Sequence, residues 1–88
     1  MSSRRNKFEI WAEVLESCLR VKRTQTWLLR EIRLKTSAIK EILEFLTSRN
    51  LIQQYNEDDL VKYQTTKRGE EVLKKFYTIV NDYFDLNY

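Results

Sequence analysis

Residues 36–69 read TSAIKEILEFLTSRNLIQQYNEDDLVKYQTTKRG, and within this stretch the spacing of apolar residues changes from helical to alternating. Ile39, Ile42, Leu43 and Leu46 recur at intervals that place them on one side of a helix ending near Arg49. Asn50 then suits the left-handed residue that closes a helix. Residues 51–55 and 60–65 contain β-branched and aromatic side chains, and Val61, Tyr63 and Thr65 alternate with Leu60, Lys62 and Gln64. The acidic run 56–59 between them supplies a turn, so the two segments pair as a hairpin. Thr66 caps a following helix, and Gly69 stands early in it, where a side chain would obstruct close packing.

Working outward, Phe8, Trp11, Leu15, Cys18 and Leu19, with Ile10 and Val14 beside them, predict a first helix over about residues 6–21. A polar break at 22–26 contains Thr24, a good N-cap for a short second helix carrying Leu28, Leu29 and Ile32. Residues 34–37 form the turn into the third helix. On the far side, Val72, Phe76, Ile79, Tyr83 and Leu86 are spaced by 4, 3, 4 and 3 residues, a heptad seam, while Leu73, Val80 and Phe84 form a neighbouring stripe. A helix over 67–86 would be about 30 Å long. One stripe is expected to pack on the first helix and the other to form a dimer seam; the alternative is one broad core-facing surface.

Composition bounds the remaining possibilities. Eighty-eight residues suit a single domain over 1–88, with a body at 6–66 and a C-terminal helix at 67–88. A chain of that size buries only about 60–65% of its unfolded surface and gains from a partner subunit. Pro is absent and Gly occurs once, which excludes both a flexible linker and a Gly-rich phosphate loop. The longest apolar run, Trp27-Leu28-Leu29, falls far short of the roughly 20 residues of a membrane span. The basic opening at 1–7 leads into an amphipathic pattern and not a signal core. A cytoplasmic protein is therefore expected, on the nucleoid if the chain is archaeal or in the host cytoplasm if it is viral. The lone Cys18 lies on the apolar face of the first helix and reads as a core residue. With no histidine, the commonest general base and metal ligand is missing, and Glu57-Asp58-Asp59 lacks the spacing of a calcium loop. No catalytic residue, metal or small-molecule cofactor is expected, and the chain does not read as an enzyme.

Charge points instead to a polyanion. Residues 1–50 hold 11 Lys/Arg against 6 Glu, whereas 51–88 hold 5 Lys/Arg against 7 Asp/Glu. Within 20–40, Arg20, Lys22, Arg23, Arg30, Arg33, Lys35 and Lys40 are opposed only by Glu31. Such a patch is an electrostatic footprint for nucleic acid, although a solvated basic face has the same composition.

The predicted fold is mainly α with a small β-hairpin, an α+β winged helix-turn-helix with an extended C-terminal helix. The runs at 30–46, 49–52 and 63–69 resemble archaeal winged-helix proteins. The opening Arg4-Arg5-Asn6-Lys7-Phe8-Glu9-Ile10 is similar to the start of the archaeal ten-kilodalton winged-helix chromatin proteins. That resemblance implies a homodimer joined by an antiparallel C-terminal coiled coil, here through Val72, Phe76, Ile79, Tyr83 and Leu86, and double-stranded DNA as partner. The chain departs from the pattern at Arg33, where Gly is common, at Lys35, where Ser or Thr caps, and at Asn50. The acidic wing tip should be repelled by DNA or turned away from it.

A helix-turn-helix lays its second helix in the major groove with the N-terminal residues at the base edges. The corresponding residues here are Lys35, Thr36, Ser37, Lys40 and Glu41, opposite the buried Ile39, Leu43 and Leu46. Lys35 and Lys40 suit phosphate contacts, and Thr36 and Ser37 suit either phosphate or base. Thr24, Thr26, Arg30 and Arg33 on the preceding helix and Lys62 on the hairpin complete the expected DNA-binding set. The function expected is that of a transcriptional regulator or a chromatin-type architectural factor, with affinity mainly electrostatic. The competing reading is a protein-interaction module using the acidic wing and the aromatic last helix.

Overall fold

The computed structural model describes residues 6–84, and three of its four helices begin at a side chain that satisfies a free backbone N–H. Asn6 starts α1 (Lys7–Ser17) through a capping box: the Glu9 N–H donates to Asn6 Oδ1 at 2.8 Å and the Asn6 N–H donates to Glu9 Oε1 at 3.0 Å. After the short strand β1 (Arg23–Thr24), the Thr24 hydroxyl accepts the Trp27 N–H at 3.1 Å and opens α2 (Gln25–Ile32). Each such cap contributes about 0.5–2 kcal/mol. By contrast, α3 (Thr36–Ser48) follows Lys35 with no side-chain cap. Strands β2 (Ile52–Glu57) and β3 (Leu60–Thr65) lead to α4 (Lys67–Ile79), whose first turn is capped by Thr66 accepting the Gly69 N–H at 3.0 Å.

Several boundaries differ from those the pattern predicts, each for a physical reason. The first helix stops at Ser17 instead of continuing to 21, because its last carbonyls are taken by other elements. The Thr65 N–H donates to Cys18 O at 2.9 Å, the Thr65 hydroxyl to Leu15 O at 2.6 Å, and Arg23 Nε to Ser17 O at 3.2 Å. The chain is thereby freed to form β1, an unforeseen third strand, which pairs antiparallel with β3 in the order β1-β3-β2. The hairpin turn is two residues and not four: Asp58 and Asp59 both hold positive φ, 51° and 63°, and Glu57 faces Leu60 in register. At its far end the α-helical geometry of α4 ends at Ile79 and gives way to a π-helical turn, Val80–Phe84. A wider turn of this kind interrupts a strict 3.5-residue repeat. Residue 86, the end of the predicted seam, lies outside the described residues.

The close of α3 agrees with the reading of Asn50, which adopts φ 61°. The Leu51 N–H donates to Leu46 O and the Asn50 N–H to Thr47 O, both at 3.0 Å, the two bonds of a Schellman motif. Gly69 sits against this junction: a Cβ there would lie 2.1 Å from Leu51 O and 2.7 Å from Thr65 Cγ2.

One core joins these elements. Val14, Leu15 and Cys18 of α1 and its end meet Leu28 and Ile32 of α2, Ile39, Leu43 and Leu46 of α3, Ile52 of β2 and Leu73 of α4. Outside it, Trp11 stacks on Phe45 with centroids 4.7 Å apart and Phe8 meets Trp11 edge-on. Burial pushes the Cys18 thiol up to about 12, so it packs as an apolar group and not as a thiolate. Three helices, a three-stranded sheet ending in a tight hairpin, and a fourth helix packed back on the first form a winged helix.

Candidate nucleic-acid interface

The interface is built from the turn between α2 and α3. Leu28 and Ile32 anchor α2, and Ile39, Leu43 and Leu46 anchor α3, so the opposite faces of both are left to solvent. Between them Arg33 closes α2 in the left-handed conformation, φ 61° and ψ 54°, its N–H donating to Leu29 O at 3.0 Å. Arg33 thus adopts the geometry for which Gly is common, and its side chain is exposed at the turn.

Most of the sequence-predicted residues fall on this surface. Thr26, Arg30, Arg33, Lys35, Thr36, Ser37, Lys40 and Glu41 are all exposed. The side chains of Arg30, Arg33, Lys35 and Lys40 make no ion pair or hydrogen bond among the described residues. Two predicted residues are placed differently. Thr24 is half-buried, with its hydroxyl oxygen occupied by the Trp27 N–H. Lys62 is half-buried too, its ammonium 3.8 Å from a Glu57 carboxylate oxygen.

The basic segment is therefore divided into internal and free cations. Lys22 donates to Glu57 and lies 4.2 Å from the centre of the Tyr55 ring. Arg23 lies 3.8 Å from the Trp27 ring and reaches the Ser17 carbonyl. The hydrogen bond from Lys22, reinforced by its charge and that of Lys62, holds the Glu57 carboxyl below the usual range. The wing's acidity is thus partly compensated from within, leaving Asp58 and Asp59 at the tip.

Beside the exposed face of α3 a groove of about 320 Å³ opens toward the sheet, lined by Lys40, Glu44 and Thr47 of α3 and by Gln25, Gln54 and Tyr63. Gln54 and Tyr63 are directly opposed on β2 and β3. Burial, and then the charge of Glu44, raise the Tyr63 phenol above its ordinary range, so it stays protonated. The sequence reading did not single out Glu44, Gln25, Gln54 or Tyr63. Helical spacing placed Glu44 beside Lys40, but nothing local signalled that the sheet would face them.

The predicted seam residues do not share one environment. Val72, Ile79 and Tyr83 are exposed, by 40%, 51% and 78%, whereas Phe76 packs against the core. A second, more apolar groove of about 650 Å³ runs between α1 and α4, with Phe8, Ala12, Phe76, Ile79 and Val80 among its walls. Tyr77 crosses its edge to donate to Glu16; burial first, and then that carboxylate, push the phenol up to about 12. Among the described residues no helix is long and apolar enough to cross a membrane.

Comparison with known proteins agrees with this architecture. Similar solved structures include the transcriptional regulator BldR from Sulfolobus solfataricus, with TM-score 0.74 and 18% identity over 89% of this chain and 61% of that one. MarR from E. coli in its apo form gives 0.72 and 14% over 85% and 55%, and a mutant of ZitR from Lactococcus lactis gives 0.70 and 15% over 89% and 57%. The present chain thus spans little more than half the length of each of these proteins. No curated protein matches the sequence significantly. The family model described as winged helix-turn-helix matches residues 4–83, nearly the whole chain, and the protein belongs to that family.

Proposed function

We propose that this protein is a DNA-binding regulator that works as a homodimer, with α3 in the major groove and the basic turn before it on the phosphates. One observation carries the reading: Arg30, Arg33, Lys35 and Lys40 are exposed and without an ion pair among the described residues, around the start of a helix whose Ile39, Leu43 and Leu46 are buried in the core. Lys22, Arg23 and Lys62 find partners inside the protein, whereas Arg30, Arg33, Lys35 and Lys40 stand where a helix-turn-helix meets its duplex. Thr26, Thr36 and Ser37 stand among them as neutral donors. Thr24 serves as a cap, and Lys62 serves the wing. Binding of this kind places the protein wherever the cell keeps its DNA.

The dimer rests on the exposed Val72, Ile79 and Tyr83 and on the apolar groove beside them. The similarity of residues 4–10 to the archaeal ten-kilodalton chromatin proteins supports it further. Two subunits each neutralising about four phosphates give a slope of log K against log salt near −7 on duplex DNA. Fluorescence anisotropy with a random duplex over a salt series measures it. Retention of no duplex even at low salt would reject this reading in favour of a protein-binding module, toward which Asp58 and Asp59 point, exposed at the wing tip with no ion pair among the described residues.

A further inference from the structure

Resting on the DNA-binding reading, we propose that the outward line of α3 reads base pairs, with Glu44 selecting cytosine and Lys40, one turn before it, taking guanine. The protein is then sequence-selective and not a general packaging factor.

The outward line of α3 runs through Ser37, Glu41, Glu44 and Ser48, all exposed and opposite the buried Ile39, Leu43 and Leu46. Against the two carboxylates this face sets one cation, Lys40. Neither carboxylate has a protein cation or donor as partner among the described residues. A surface meant only for phosphates gains nothing from such groups, since they repel the backbone of every duplex equally. The parts of a duplex that attract a carboxylate in the major groove are the base amines, cytosine N4 and adenine N6. Adenine presents its N7 lone pair beside the amine, which opposes a second anionic acceptor. Cytosine has only a C–H there.

Geometry supplies the other half of the pair. Lys40 precedes Glu44 by one helical turn on the same wall of the groove, so a donor and an acceptor stand about 5–6 Å apart at their Cβ atoms. The donor suits guanine O6 and N7 as the acceptor suits cytosine N4. Opposite them Gln54, Gln25 and the protonated Tyr63 close the groove with neutral hydrogen-bonding groups.

Selection of bound sequences from a random duplex pool, with the full chain and with Glu44→Gln, tests the assignment. The wild type should enrich cytosine at a fixed position. Glu44→Gln should replace it by adenine, which a glutamine amide reads through N6 and N7, with the cytosine-over-adenine ratio falling about tenfold or more. Because Glu44 is exposed, the variant should melt with the wild type. Binding by the wild type with no enrichment, or cytosine retained by Glu44→Gln, overturns the assignment and leaves DNA binding intact. Failure of the wild type to hold any duplex at low salt removes the DNA-binding reading itself and this inference with it.

Discussion

Arg33 holds φ 61° at the end of α2, a conformation that costs an L-residue about 1–2 kcal/mol and that helix ends commonly give to glycine. Arg33→Gly should relieve that strain, but glycine adds back about 0.5–1 kcal/mol of unfolded-chain entropy. The expected net change is under about 1 kcal/mol in urea melts, while the salt slope of DNA binding falls by about 0.9 per subunit. A large loss of stability would mean that Arg33 serves the fold; an unchanged slope would mean it touches no phosphate. Gly69 presents the reverse case, a glycine required by contact and not by backbone angle. With Leu51 O only 2.1 Å from its would-be Cβ, Gly69→Ala has to push α4 from the hairpin. It should strain the bond from the Thr66 N–H to Leu51 O at 3.0 Å and destabilise by about 1–3 kcal/mol or more, read as a lowered denaturant midpoint.

Among the elements, the wing shows how an acidic loop is reconciled with a basic protein. Two lysines, Lys22 before β1 and Lys62 on β3, converge on Glu57, and Lys22 also covers the Tyr55 ring. These contacts favour the ionised carboxylate, so folding lowers its affinity for a proton. The stabilisation is complete above the ordinary glutamate range and is lost as pH falls through the lowered value. Wild type should therefore melt above Glu57→Gln near neutral pH, and the two curves should converge in acid below about pH 4.3. A gap that persisted in acid would assign the effect to packing instead. The same contacts explain why the predicted DNA role of Lys62 has no support in its surroundings: a half-buried ammonium beside a carboxylate is already partnered.

At the scale of the molecule, α4 packs on the body and carries the proposed dimer seam. Its inner side is anchored by Leu73, and Phe76 and Val80 border the groove shared with α1, while Val72, Ile79 and Tyr83 remain uncovered. A second copy laid along them would cover these side chains and much of the groove. Ile79→Glu and Tyr83→Glu should yield monomers in sedimentation equilibrium while keeping the helical content of the wild type. The salt slope should then fall by about half, toward that of one subunit. Mass unchanged by both substitutions would remove the seam from the proposal.

Much of the fold was legible in the sequence because its signals are local. Apolar spacing is a property of neighbouring residues, and it located the four helices and the hairpin; Thr24, Thr66 and Asn50 were recognisable from the backbone groups they satisfy. The exposed basic turn was legible for the same reason, since Arg30, Arg33 and Lys35 flank a break between two amphipathic runs. What the chain by itself could not show depends on contacts across long separations. Thr65 stops α1 by bonding carbonyls some fifty residues earlier, which creates β1. Glu57 withdraws Lys22 and Lys62 from the free cations. The sheet brings Gln54 and Tyr63 opposite Glu44. Local periodicity determines which residues share a face, and only tertiary packing determines what that face meets.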